Sequence, residues 1–236
     1  MSSRVSRPAL SCRTTRGYNI LMRATMPLKD VDEFFARLSA ADPDPQGELH
    51  YVNDFTLTVA VVLSAQATDA GVNKATDKLF KVADTPEKML ALGEAKVRDY
   101  IKTIGLYRNK AKNVIALCRM LITDFGGEIP QTRDELVRLP GVGRKTANVV
   151  LNIAFDQPTM AVDTHIFRLG NRTGMAPGKN VNQVEAKLVK RIPAKWLNHA
   201  HHWLILHGRY ICKARKPECW NCAVRDLCRF KGKTAA

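Results

Sequence analysis

The chain has 236 residues, enough to bury a sizeable core as one large domain or as two small lobes. Apolar residues make up 45% and charged residues 25%, an ordinary globular composition, and the longest apolar stretch, Phe55 to Ala65, is too short to cross a bilayer. The formal net charge of +15 favours a polyanionic partner, nucleic acid ahead of a membrane surface, because each Lys or Arg that meets a phosphate releases a condensed counterion.

Residues 1–27 are rich in Arg and Ser and carry no acidic residue. Without an apolar h-region they are not a secretory signal. A disordered basic arm is the preferred reading; an organellar targeting peptide and an upstream translation start remain open. Helical patterns follow in succession. Val31, Phe34, Phe35 and Leu38 lie at i, i+3, i+4 and i+7, with Asp30 placed to cap. Phe55 to Ser64 is apolar nearly all round and predicts a central helix. Thr85–Pro86 pairs a capping residue with a first-turn proline. Val97, Ile101 and Ile104 share a face that Gly105 is expected to terminate. Ala111, Val114, Ile115, Cys118, Leu121, Ile122 and Phe125 form a stripe ending at Gly126–Gly127, and Thr132 with Glu135 predicts a capping box. Cys118 on that stripe reads as a core residue. No sustained period-two pattern and no internal repeat occurs, so the predicted fold class is all-α.

The string Leu139-Pro140-Gly141-Val142-Gly143-Arg144-Lys145-Thr146-Ala147 then joins two helices through a tight turn. Gly141 and Gly143 are free to take positive φ and bring bare backbone close to a ligand, and Val142 can pack down between the helices. The second helix opens with unpaired N–H groups and the positive end of its dipole, a ready phosphate site. Lys145 sits in that first turn. The dipole and Arg144 both disfavour a further positive charge, which eases deprotonation of an amine that can form a Schiff base. In Ala161-Val162-Asp163-Thr164-His165-Ile166-Phe167-Arg168, Asp163 stands where a helix should begin, so a plain N-cap competes with a role as the acid partner of Lys145.

Of six cysteines, four crowd the C-terminal segment as C-x6-C-x2-C-x5-C: Cys212, Cys219, Cys222 and Cys228. A disulfide scaffold would spread its cysteines through a domain lacking a core, whereas this cluster reads as metal ligation. The spacing leaves a Cys₄ zinc site and a [4Fe-4S] cluster both open. His201, His202 and His207 read as core or helix-packing residues.

The full Leu139–Ala147 string resembles the helix-hairpin-helix of base-excision DNA glycosylases, where it grips the DNA backbone without reading sequence. Together with Leu63-Ser64-Ala65-Gln66-Ala67-Thr68-Asp69, Ile104-Gly105-Leu106-Tyr107, Val162 to Arg168, and His201 to Arg209, it resembles the endonuclease III family over about Pro27 to Lys231. That resemblance implies two helical lobes with DNA in the cleft between them: a six-helix lobe over 47–157, and a discontinuous lobe of 28–46 with 158–236. It implies excision of oxidised pyrimidines and AP-lyase cleavage 3′ to the abasic site, with the target nucleotide flipped out of the duplex. Lys145 would be the nucleophile, and Asp163 would deprotonate it or stabilise positive charge on the sugar. The four cysteines would hold a [4Fe-4S] cluster that stiffens a basic loop of Lys213, Arg215 and Lys216 against DNA phosphates. Gly141, Val142, Gly143 and Arg144 would contact the backbone, Gln66 and Leu106 would fill the gap left by the flipped nucleotide, and Asp69 and His165 would line the pocket.

The expected partner is double-stranded DNA with a damaged pyrimidine or an abasic site. A monomer is expected, cytoplasmic and nucleoid-associated if bacterial, with organellar and nuclear placement open. Three other readings compete. An adenine-mismatch glycosylase would lack a lysine at position 145. A pyrimidine-dimer glycosylase would keep it. A non-catalytic iron–sulfur DNA-binding protein would leave Lys145 and Asp163 together without a purpose.

Overall fold

The structure, a computed structural model, describes residues 25–236. Most of the basic arm expected over 1–27 lies outside the described residues, as does Cys12. The last residues of that arm belong to the fold instead: Met26 is fully buried, and its backbone N–H donates to Gly174 O at 2.9 Å.

Among the described residues there are ten α-helices, one short 3₁₀ turn (Cys219–Asn221) and no strand, as the missing period-two pattern predicts. The helices are α1 (Leu28–Ala41), α2 (Asp54–Leu63), α3 (Asp69–Leu79), α4 (Pro86–Ile101), α5 (Tyr107–Phe125), α6 (Arg133–Leu136), α7 (Arg144–Phe155), α8 (Thr164–Thr173), α9 (Val181–Arg191) and α10 (Ala194–Tyr210).

Local chemistry accounts for most boundaries. Thr85 caps α4 with Pro86 at its first position, and Gly126 and Gly127 end α5 in the left-handed region. Three details differ from expectation. α1 has Pro27 rather than Asp30 at its N-cap, and the Asp30 carboxylate, within the first turn, accepts from Arg229 at 2.7 Å. α4 stops at Ile101, leaving Gly105 in the linker, and bends at Gly93, where φ is +80°. The predicted capping box at α6 is incomplete. Thr132 Oγ1 accepts from Glu135 N at 3.3 Å, but the Glu135 carboxylate takes the Thr132 hydroxyl rather than the backbone.

The buried apolar side chains form two main clusters. One is built from α2 to α7 and includes Leu63, Leu79, Val114, Leu121, Leu136 and Val150. The other joins α1 to α8, α9 and α10 through Phe34, Phe35, Ile166, Leu188, Trp203 and Leu204. Between them lies a small group of Leu57 and Val61 from α2, Val149 from α7, and Ala161.

Ala161 belongs to the segment that returns along α7, and polar side chains fix its course. Lys145, Asn148, Val149 and Asn152 lie at i, i+3, i+4 and i+7, one face of the helix. Asn152 Nδ2 donates to Gln157 O at 3.1 Å and to Asn198 O at 3.0 Å. One turn earlier Asn148 Nδ2 donates to Met160 O at 3.0 Å, and Thr159 Oγ1 donates to Asn148 O at 2.6 Å. The chain is thus led back toward the N-terminal end of α7, where Lys145 stands, and delivers Asp163 there. Asn148 is 1% exposed, so losing its amide strands a buried carbonyl. Asn148→Ala is expected to destabilise the protein by about 1–3 kcal/mol in urea unfolding.

Candidate active site and nucleic-acid interface

A cavity of about 470 Å³ opens beside Lys145. Its walls come from the 46–51 segment, from Leu57 and Val61 of α2, from Asp69 at the start of α3, from Val149 and Ile153 of α7, and from one face of α10 carrying His201, His202, Ile205, Leu206 and Arg209. Lys145 keeps accessible surface because the cavity is open, yet protein surrounds the amine on most sides. That burial lowers its pKa below the ordinary lysine value of 10.5; Asp163 and Asp69 pull it back part of the way, and Arg209 pushes it further down.

Asp163 is the N-cap of α8, its Oδ1 accepting from Ile166 N at 2.8 Å. The same carboxylate acts electrostatically on Lys145, so capping α8 does not withdraw its charge from the lysine. The cap also restricts its rotation, which fixes where its charge is felt. Asp69 lines the cavity and is bound by Arg209 Nη1 at 2.6 Å; Arg209 also pairs with Glu48, which accepts from Tyr210 Oη. His165 is not among the residues lining this cavity. Its ring nitrogen Nδ1 lies 3.3 Å from Arg168 Nη2, and it packs so closely on α10 that a Cβ on Gly208 would fall 2.8 Å from its own Cβ.

The hairpin takes shape as expected at Gly141, with φ +84° and a Cβ position 3.0 Å from Val62 Cγ1, so a side chain there would be strained and crowded. Gly143 differs from expectation: its φ is −97°, and it serves as the N-cap of α7 without any side-chain cap. The Val142 side chain is buried in the core, and its N–H donates to Leu139 O at 3.0 Å. Arg144 is not the cation that lowers the Lys145 pKa. Its guanidinium is held by Glu185 of α9 through bonds of 3.0 and 2.6 Å, and the cation that acts on Lys145 is Arg209.

Gln66 and Leu106 are exposed and adopt left-handed backbone, with φ +54° and +59°. Non-glycine residues rarely hold that conformation. The two loops adjoin: a Cβ on Gly105 would lie 3.6 Å from Gln66 O.

All four C-terminal cysteines line a second, small cavity together with His207, Thr173 and Phe230. Arg172 Nη1 donates to Cys212 Sγ at 3.6 Å and to Lys213 O at 2.6 Å, its Nη2 donates to Ala214 O at 2.5 Å, and its guanidinium stacks 5.0 Å above the Phe230 ring. One arginine therefore ties the cysteine cluster to the basic loop. Arg215 and Lys216 are exposed there and make no ion pair among the described residues, whereas Lys213 is paired with Glu218. Burial pushes the Cys222 thiol up to about 11, and its neighbouring cysteines act in the same direction. Among the described residues no three His, Cys, Asp or Glu side chains stand together in a metal-holding group. His207 Nε2 lies 3.6 Å from Cys222 Sγ. Cys118 is buried in the core as expected.

The sequence reading missed His201, His202, Arg209 and Glu48 as cavity residues and Asn148 and Asn152 as positioning residues. The available signals were the face shared by 201, 202, 205, 206 and 209 in α10, and two asparagines four apart beside apolar residues.

A family model for HhH-GPD superfamily base excision DNA repair proteins matches residues 59–194. The chain is 57% identical over 205 residues to endonuclease III of Rickettsia conorii, covering 87% of this chain and 98% of that protein. It is 59% identical over 201 residues to endonuclease III of Escherichia coli, covering 85% and 95%. Among solved structures it superposes on a trapped endonuclease III–DNA covalent intermediate with a TM-score of 0.81 at 45% identity, covering 87% of this chain and 97% of that one. A thermostable thymine-DNA glycosylase gives a TM-score of 0.78 at 25% identity, covering 87% and 98%. The chain belongs to the HhH-GPD superfamily of base excision DNA repair proteins.

Proposed function

We propose that this protein is a DNA glycosylase with AP-lyase activity that excises oxidised pyrimidines, with Lys145 as nucleophile and Asp163 as its acid partner. The observation that carries the reading is the Lys145 amine, its pKa lowered by burial, at the mouth of a cavity of about 470 Å³ and within the field of Asp163. The two cores are read as two lobes, 47–157 and 28–46 with 158–236, and duplex DNA as lying in the groove between them.

In the reaction, the Lys145 nitrogen attacks C1′ of an extruded nucleotide, and the bond from C1′ to the base breaks. The base leaves with a proton, the sugar opens to a Schiff base, and loss of the C2′ proton expels the 3′ oxygen. The cavity suits a damaged ring. Its apolar wall is largely aliphatic (Leu57, Val61, Val149, Ile153, Ile205, Leu206), which admits a puckered, saturated pyrimidine without demanding flat stacking. The uncapped N-terminus of α7, with bare backbone at Gly141 and Gly143, would take a phosphate, and Arg215 and Lys216 further phosphates. Gln66 and Leu106, already held in strained backbone at adjoining loops, would enter the space left by the flipped nucleotide. Asp69 is assigned to the pocket wall beside Lys145, and His165 to packing of α8 on α10.

Cys212, Cys219, Cys222 and Cys228 would hold a [4Fe-4S] cluster. The four cysteines line one small cavity, and the family resemblance favours iron–sulfur over zinc where the spacing leaves both open. The cluster would supply rigidity to the basic loop through Arg172. No helix among the described residues is long and apolar enough to cross a membrane, and the relatives named above are bacterial, which accords with a cytoplasmic enzyme acting on the nucleoid.

Borohydride trapping on duplex containing thymine glycol tests the reading. The protein is expected to give a covalent adduct that Lys145→Ala abolishes; DNA binding without an adduct would favour a non-catalytic binder. Faster turnover on pyrimidine-dimer duplex than on thymine glycol would shift the substrate class. Because only the neutral amine attacks and its pKa is lowered, adduct formation is expected to rise with pH and to level off below 10.5. Asp163→Asn keeps a good cap while removing the charge, whereas Asp163→Ala loses both. Thermal unfolding should therefore separate the two by about 1 kcal/mol, while both slow adduct formation. Iron and sulfide assays on purified protein check the cluster, and Cys222→Ala is expected to lower both.

A further inference from the structure

The polar groups around the Lys145 cavity are unequally engaged. Arg209, Asp69 and Glu48 are bonded to one another. His201 is 4% exposed; its Nδ1 is buried without a partner, and its ring lies against the Ala161 backbone, two residues before Asp163. The neighbouring His202 ring lies 5.4 Å away, edge-on, and makes no hydrogen bond among the described residues. Its Nδ1 is buried without a partner, and its Nε2 faces Gly47, where a Cβ would sit 3.5 Å away.

We infer that His202 is a specificity-determining residue that contacts the extruded base, its Nε2 edge reading the hydrogen-bonding face of the pyrimidine across from Gly47. This rests on the glycosylase reading above. The unpartnered Nδ1 is buried, so it is Nε2, unbonded and not buried, that the His202 ring can offer to a ligand or a water in the cavity. The tautomer of a histidine is set by the bond its other nitrogen makes. Because Nδ1 of His202 bonds to nothing, Nε2 is free to present either an N–H or a lone pair. The lone pair suits the N3–H of a thymine-derived base, and the N–H suits a carbonyl oxygen or the N3 acceptor of a cytosine-derived one. Burial keeps the ring below its ordinary pKa and hence neutral near pH 7, the state in which both options exist. Tyr51 adds a hydroxyl at the same wall, and the aliphatic residues of α2, α7 and α10 enclose the rest.

The test compares base release from duplexes carrying thymine glycol or 5-hydroxycytosine with strand scission at a preformed abasic site, which has no base to read. In single-turnover assays on the cluster-loaded full chain, His202→Leu is expected to slow base release about tenfold or more relative to scission, the scale of one lost hydrogen bond to substrate. His202→Gln, which offers both a donor and an acceptor, is expected to recover part of the loss. Equal slowing of both reactions by His202→Leu assigns the ring to packing and overturns the inference, as does base release at the unsubstituted rate. Failure of the unsubstituted protein to form any borohydride adduct at an abasic site would instead remove the glycosylase reading itself.

Discussion

Two asparagine side chains on α7 hold the arrangement on which the site depends. Hydrophobic burial sets α7 against α2, but it is indifferent to where the next segment goes. The amides of Asn152 and Asn148 are not: each takes a backbone carbonyl of the returning chain, at Gln157 and then Met160. The chain then reaches Asp163 near the first turn of the same helix. Lys145 and Asp163, 18 residues apart in sequence, become neighbours through directional bonds made inside the protein, where an unpaired amide or carbonyl is costly.

Charge around the cavity is arranged by pairing. The chain carries 37 Lys and Arg against 22 Asp and Glu, yet several acidic residues are committed beside the site. Arg209 holds Asp69 and Glu48, so the carboxylate of Asp69 is engaged rather than free to neutralise Lys145 fully. Glu185, 8% exposed, takes Arg144 and links the hairpin helix to α9, from one core to the other. Arg215 and Lys216, exposed and without an ion pair among the described residues, stand on the loop beside the cysteines. They lie apart from the cavity in which burial disfavours the charge of Lys145.

The all-helical class, the apolar faces and the hairpin were legible because each is a local property: period, breaker residues and capping chemistry. Val31, Phe34, Phe35 and Leu38 are buried as their spacing predicts. Lys145, Asp163 and the cysteines stood out through strings specific enough to carry a resemblance. Other features were not legible because they depend on distant partners. Nothing near Arg144 announces Glu185, 41 residues later, and nothing near Arg209 announces Glu48. Asp30 looked like a cap because its partner, Arg229, lies at the other end of the chain. His201 and His202 looked like core residues because in an apolar helix a ring that packs and a ring that faces a cavity have the same spacing.

The left-handed backbone at Gln66 and Leu106 has an evolutionary consequence. A glycine at either position would relax the chain, since an L-residue in that region is disfavoured by about 1–2 kcal/mol. Selection for thermal resistance alone would therefore erode both side chains. Thermal resistance and any use made of these two exposed side chains pull in opposite directions at the same positions.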